Sequence, residues 1–149
     1  MPRAITGPMT SSFEIFDHTA DAGIRIRAAT LPELIQPATD GLYTCIGELV
    51  GSGNTAPFRF ERTEAAPDAA TLLRDYLQEL LVLFETRTRR LSRVQVGEFT
   101  STRIAVAGES QVVDETRSVY YREVKAVTYH ELAIREIPGG YEATVIVDI

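Results

Sequence analysis

The sequence predicts an α+β domain, in which two helices pack on one side of a mostly antiparallel sheet. Three observations lead there. Leu72, Leu73, Tyr76, Leu77, Leu80, Leu81 and Phe84 recur at i, i+3, i+4 spacing, a wide apolar stripe that only a helix gathers onto one face. Ile24, Ile26 and Ala28 alternate with Arg25 and Arg27, the period of a half-buried strand. Strand candidates then follow the second helix one after another, so the order β-β-α-β-α-β-β-β-β-β is not a βαβ alternation.

The elements read in order as follows. A short apolar strand covers 13–16 and a second covers 23–29, with the Asp17-His18-Thr19-Ala20-Asp21 turn between them. A helix starts at Thr30, where Thr30 and Glu33 form a capping box. Leu34, Ile35, Ala38, Leu42, Cys45, Ile46 and Leu49 carry it to about residue 50, with a kink expected at Pro37. Residues 51–54, Gly-Ser-Gly-Asn, read as a loop, and 57–62 as a strand. The second helix runs over 67–87. A hairpin of 93–99 and 102–107 follows, and 108–118 is polar enough to read as a loop. Strands then cover 119–130 and 132–137, and a Pro138-Gly139-Gly140 turn leads into 141–149. In that last strand Glu142, Thr144, Ile146 and Asp148 share the more polar face.

A length of 149 residues suits one domain, expected over 12–149, behind a mobile tail over 1–11 that holds two prolines and a glycine. One cysteine, Cys45, excludes an internal disulfide framework; at its place in the helical stripe it reads as a small buried hydrophobe. No apolar run approaches the roughly 18 residues of a membrane span, and residues 1–12 lack the apolar core of a signal peptide, so the expected compartment is the cytoplasm. With 21 acids against 15 bases the net charge is −6, which argues against tight binding to a nucleic-acid backbone. Arg87, Arg89, Arg90 and Arg93 are a local exception, read as cations complementing a helix C-terminus.

Acids and histidines are the remaining chemistry. Asp148 and the carboxylate of Ile149 place two anionic donors within one residue, and a fold that brought Asp21 to them would make three carboxylates converge. Such a cluster needs a proton or a cation, and a hard cation held by oxygens is the natural neutraliser. Spacing alone does not show that convergence. His18 and His130 are the only histidines, and a lone histidine is ordinarily a hydrogen-bonded turn or core residue. Lys125 is ordinarily a solvated strand lysine. In a regular strand Lys125 and His130 point to opposite faces, so a common site needs a bulge or a strand end to re-aim one of them. Tyr129 is expected to pack, and Asp17 is not expected to be a ligand. No nucleophile–base pair, zinc-type Cys/His spacing or phosphate-binding glycine loop is present.

His18-Thr19-Ala20-Asp21, Lys125-Ala126-Val127-Thr128-Tyr129-His130 and the final Val147-Asp148-Ile149 occur in the order and at the intervals of the archease family, which the chain resembles over about 12–149. Pro37 departs from the family, whose first helix is usually uninterrupted. The resemblance implies an archease-like fold and an accessory protein of the RtcB-type RNA ligase. That ligase joins 2′,3′-cyclic phosphate or 3′-phosphate ends to 5′-hydroxyl ends with GTP and a divalent metal. The accessory protein promotes guanylylation and repeated turnover of the ligase in tRNA splicing or RNA repair, without chemistry of its own. By position, the resemblance makes Asp21, Asp148 and Ile149 the ligands of a divalent cation, typically Ca2+, and places His18, Lys125 and His130 on the surface that meets the ligase. Two other classes fit the same residues: a small metal-dependent hydrolase using His18, Asp21 and Asp148, and a general chaperone or adaptor whose cation is structural.

Overall fold

The computed structural model describes residues 9–18 and 20–149; of the tail expected over 1–11, residues 1–8 lie outside the described residues. The chain forms β1 (Ser12–His18), β2 (Asp21–Ala28), a 3-10 turn (Pro32–Leu34), α1 (Ile35–Ile46), β3 (Gly47–Glu48), β4 (Gly51–Thr63), α2 (Ala69–Arg87), β5 (Arg89–Phe99), β6 (Arg103–Val113), β7 (Val119–Tyr120), β8 (Ala126–Val127), β9 (Ala133–Ile137) and β10 (Gly140–Asp148). Every strand pairing among them is antiparallel.

The strands divide into three sheets. The largest runs β1-β2-β10, and the far edge of β10 pairs first with β9 and then with β8. The second is β4-β6-β5, and β3 with β7 makes a two-stranded third. Both helices touch both larger sheets: α1 packs on β1, β2 and β5, and α2 on β4, β5, β6, β8 and β9. One cluster of buried side chains therefore runs from Ile24, Ile26, Val145 and Val147 through Leu42, Leu72, Leu77 and Leu80 to Leu91 and Ile104. Full burial is worth about 1.5–3 kcal/mol for each such side chain, so the leucine stripe of α2 holds the sheets together. Three buried hydroxyls join the layers through two hydrogen bonds. Tyr76 and Thr39 share a 2.7 Å hydrogen bond between the helices, and Tyr43 accepts one from the Leu91 N–H at 2.9 Å. Burial pushes the Tyr43 phenol up to about 12.

Several boundaries differ from the sequence reading, each for a physical reason. Thr30 accepts a hydrogen bond from the Glu33 N–H at 3.3 Å, half of the expected capping box, but what it caps is the 3-10 turn. The α-helix proper begins at Ile35, so Pro37 falls in its first turn, where an N–H has no intrahelical partner to lose. The helix ends at Ile46 rather than near 50. Residues 51–54 belong to β4, with a register shift between Gly51 and Thr55. The expected loop over 108–118 is strand as far as Val113: β6 is the central strand of its sheet, with Ser110 buried and Gly108 lying where a Cβ would meet the Arg93 carbonyl. The expected strand 119–130 is two short pieces, β7 and β8, in different sheets. Cys45 is buried, and its thiol is pushed up to about 11 by that burial, which fits the small-hydrophobe reading. Of the four arginines, only Arg87 sits in the last turn of α2. Arg89 and Arg90 lie in β5, where they donate to the Asn54 and Leu49 carbonyls.

Candidate metal and partner-facing site

The candidate residues gather at one end of the largest sheet, and strand register puts them there. Asp21 opens β2 and Asp148 closes β10, and the two are direct cross-strand partners. His18 is the partner of Asp21 on the other side, at the end of β1. On the far side of Asp148 lies Ala126, and the Lys125 N–H donates to the Asp148 carbonyl at 2.7 Å. A single row across the sheet thus reads His18, Asp21, Asp148, Ala126. Because successive side chains alternate between faces, this row shares the polar face with Arg25, Arg27 and Glu142 and not the core face of Ile24 and Val147. Ile149, one step beyond, packs against the core cluster.

Directly opposed like charges weaken a sheet. The two nearest arginines on the face are already engaged. Arg25 donates to Glu14 at 2.6 Å and lies 4.5 Å over the Phe16 ring, and Arg27 donates to Glu142 at 2.7 Å. An apolar row of Phe16, Gly23 and buried Ile146 separates them from the acids. At Gly23 a Cβ would meet the Phe16 ring, so a larger residue there has to displace that ring. Among the described residues the one basic group within 4.0 Å of either acid is His18, with Nδ1 at 3.9 Å from Asp21 Oδ2. Among the described residues no lysine or arginine lies within 4.0 Å of either acid, and the oxygens of the pair suit a hard cation such as Ca2+.

The loop after β8 supplies the second half of the site. Gln78 on α2 accepts from the Val127 N–H at 2.9 Å, and Arg74 donates to the Val127 carbonyl at 2.8 Å, so α2 holds β8 from outside the sheet. Past Val127 the strand stops. Thr128 donates its N–H and hydroxyl to the Ile146 carbonyl and accepts the His130 N–H, and Glu131 takes a left-handed φ of +51°. That break is the re-aiming device which the parity of Lys125 and His130 required. It carries His130 to His18, ring centroids 5.3 Å apart and edge to face. Tyr129 does not pack into the protein as expected: it is 61% exposed, with Arg74 lying 4.3 Å over its ring. Lys125 is exposed, and its main chain, not an ion pair, ties it to the site.

Sequence reasoning missed Glu131, whose Oε2 lies 3.0 Å from His18 Nε2. His18, His130 and Glu131 offer ligand atoms that all fall within 4.8 Å of one another. An exposed acid in a turn has no pattern that singles it out; adjacency to His130 was the one available signal. Arg74 and Gln78, which position β8, were hidden in the polar flank of an ordinary amphipathic helix.

Residues 13–149 match the model of the archease protein family (MTH1598/TM1083). The archease of Methanosarcina barkeri is 34% identical over 145 residues, spanning 92% of this chain and 95% of that protein. That of Thermococcus gammatolerans is 31% identical over 132 residues, spanning 86% and 91%. The solution structure of protein 1598 from Methanobacterium thermoautotrophicum superposes with a TM-score of 0.70 at 26% identity, covering 93% of this chain and 99% of that one. The crystal structure of an archease from Thermotoga maritima, described as a possible chaperone, covers 99% of this chain and 100% of its own with a TM-score of 0.65; at 16% identity that likeness concerns the fold. Among the described residues no helix is long and apolar enough to cross a membrane.

Proposed function

The chain belongs to the archease family, and from that premise we propose that it is a non-catalytic accessory protein that activates an RtcB-type RNA ligase, promoting its guanylylation and multiple turnover in tRNA splicing or RNA repair. The observation that carries the reading is the acid pair Asp21 and Asp148, held opposite each other by strand register at the open end of the sheet. On this proposal Asp21, Asp148 and the main-chain oxygens of Ile149 hold a divalent cation, Ca2+ being the chemical fit. The cation lends positive charge, with coordination positions left for oxygens of the partner. His18, Lys125 and His130 surround it as the surface that meets the ligase.

An activator works by binding one state of its target better than another. A surface that combines a cation, a lysine and two imidazoles suits a nucleotide-loaded pocket, because carboxylate and phosphate oxygens are what those groups bind. The protein's own charge of −6 supports action on the ligase and not on RNA directly. The deciding experiment is ligase turnover with and without this protein, at a fixed concentration of the divalent metal the ligase itself needs, with and without added Ca2+. Stimulation that needs both the protein and the cation is expected. Unchanged single-turnover behaviour in every arm would overturn the proposal, and hydrolysis of phosphate esters by the protein alone would transfer the site to the hydrolase reading. Binding to the ligase is expected to be transient and to tighten when the ligase carries GTP or guanylate. Calorimetry with the bare and the nucleotide-loaded ligase, each with and without added Ca2+, measures this.

A further inference from the structure

We propose that His18, His130 and Glu131 form a second metal site, one that takes a borderline first-row cation of the Zn2+ class, beside the oxygen site of Asp21 and Asp148. The inference stands apart from the ligase reading, since it concerns what three side chains can hold.

Two imidazoles and one carboxylate are a donor set for zinc, cobalt or nickel; calcium prefers oxygens throughout. The geometry is close to assembled. Bonds of about 2.0–2.2 Å to zinc put the ligand atoms of a tetrahedral site some 3.3–3.5 Å from one another. His18 Nε2 and Glu131 Oε2 stand 3.0 Å apart, and all three ligand atoms fall within 4.8 Å. Small rotations of His130 and Glu131 close the rest, and both side chains are exposed and free to make them. Three protein ligands leave a fourth position open to solvent.

The other nitrogen of His18 gives the independent observation. Nδ1 is buried with no hydrogen-bond partner among the described residues, and Asp21 Oδ2 is 3.9 Å away. A buried ring nitrogen left unpaired is costly. Metal on Nε2 fixes the proton on Nδ1, and a ligating histidine ordinarily donates that proton to a carboxylate. Asp21 is placed to accept it after a shift of about 1 Å, taking 2.7–2.9 Å as the length of a charge-assisted hydrogen bond. Asp21 would then be a positioning residue for the zinc-type site while serving as a ligand in the oxygen site. The backbone is committed to the arrangement: Ala20, two residues after His18, and Glu131, whose carboxylate meets His18 Nε2, both hold left-handed conformations, at φ +65° and +51°. Such conformations are costly for residues with a Cβ and gather where surroundings over-determine them.

The test uses the untagged 149-residue chain, titrated with Zn2+ against a chromogenic chelator and, separately, with Co2+ and Ca2+. One zinc per chain is expected, with the visible absorption of four-coordinate cobalt. His130→Ala and Glu131→Gln should each weaken zinc at least tenfold and leave Ca2+ affinity within twofold. Asp21→Asn should weaken both metals. Zinc affinity unchanged in the His130→Ala, Glu131→Gln double variant would overturn the proposal. So would zinc and calcium affinities falling together in His130→Ala, because that result describes one shared site. Circular dichroism of each variant separates ligand loss from unfolding, and the exposed positions of His130 and Glu131 make folding of their variants the expected result.

Discussion

Glu142 and Asp148 sit on the same face of β10, six residues apart, and their neighbours treat them in opposite ways. Glu142 faces Arg27 on one side and Arg135 on the other. It accepts hydrogen bonds at 2.7 Å from the first and at 2.6 and 3.1 Å from the second, and is left 5% exposed. Asp148 faces another acid, Asp21, with no arginine in reach among the described residues. One end of the strand has had its charge neutralised by two arginines; at the other, among the described residues, no arginine or lysine lies within 4.0 Å of the acids. A fold selected for stability alone would place a cation in the Asp148 row as it does in the Glu142 row. The contrast separates an acid that builds the sheet from acids that await something.

Exchanging the two ends in an activity assay gives the largest effect. Asp148→Ala and Asp21→Ala are each expected to cut ligase stimulation at least tenfold, about 1.4 kcal/mol or more in the coupling between the proteins, with native circular dichroism. Glu142→Ala is expected to leave stimulation within twofold. If Glu142→Ala abolished stimulation while Asp148→Ala did not, the division between the two ends would be wrong.

Stability should show the reverse order. Glu142→Ala removes three charge-assisted hydrogen bonds from an acid covered by a single layer of arginine side chains. Arg27 and Arg135 are themselves 46% and 70% exposed and can return to water. The expected loss is therefore about 1–2 kcal/mol, smaller than for a deeply buried pair, and the melting temperature should fall by about 2–8 °C. A drop above 15 °C would mean that Glu142 holds more than its two arginines.

Acid makes a finer test of the same end. Arg135 first and Arg27 second hold the Glu142 carboxyl below the usual carboxylate range. A group whose folded value is depressed contributes stability above its unfolded value, about 4.3, and loses it as pH falls through the folded one. The difference in melting temperature between the wild type and Glu142→Gln should thus be constant from neutral pH to about 5 and shrink below that. A gap that widened in acid would contradict the sign of the shift.

How much of this was legible beforehand differs between the ends too. Alternation in 23–29 and 141–149 gave the faces of β2 and β10, because a period of two has one solution in a half-buried strand. It put Asp148 with Glu142, Thr144 and Ile146 on the polar side, where register then placed Asp21. The leucines of α2 were equally plain. The site's other half was not. Residues 108–113 look like a loop because Gly108 and Ser110 are polar-turn residues, yet a central strand satisfies its backbone on both edges and tolerates them. Residues 119–130 look like one strand because Val119, Tyr120, Val124 and Val127 favour extended backbone, yet Arg74 and Gln78 hold only the Val127 end. Arg27 and Glu142 are 115 residues apart, and nothing local announces that they meet. The family motifs named His18 and His130 without saying that a broken strand and a left-handed Glu131 bring them together.

The smallest effect is the sharpest probe of the comparison, because its sign is unusual. Removing a charge from an ion pair normally destabilises, but Asp21→Asn takes one charge from a like-charged cross-strand pair and keeps the shape of the side chain, exchanging one acceptor oxygen for a donor NH2. Directly opposed like charges destabilise a sheet, by about the 0.2–0.5 kcal/mol that a like-charged pair costs on a helix. In chelator, then, Asp21→Asn should unfold a few tenths of a kcal/mol later than the wild type, at the low end because the pair is partly solvent-exposed and screened. Saturating Ca2+ should reverse the order, since it stabilises only the form that binds it, by about 2.7 kcal/mol at a hundredfold excess over Kd. The two denaturation curves are therefore expected to cross as free Ca2+ rises. Parallel curves at all Ca2+ levels would show that Asp21 and Asp148 already share a proton or a hidden partner, and the two ends of β10 would then be neutralised alike.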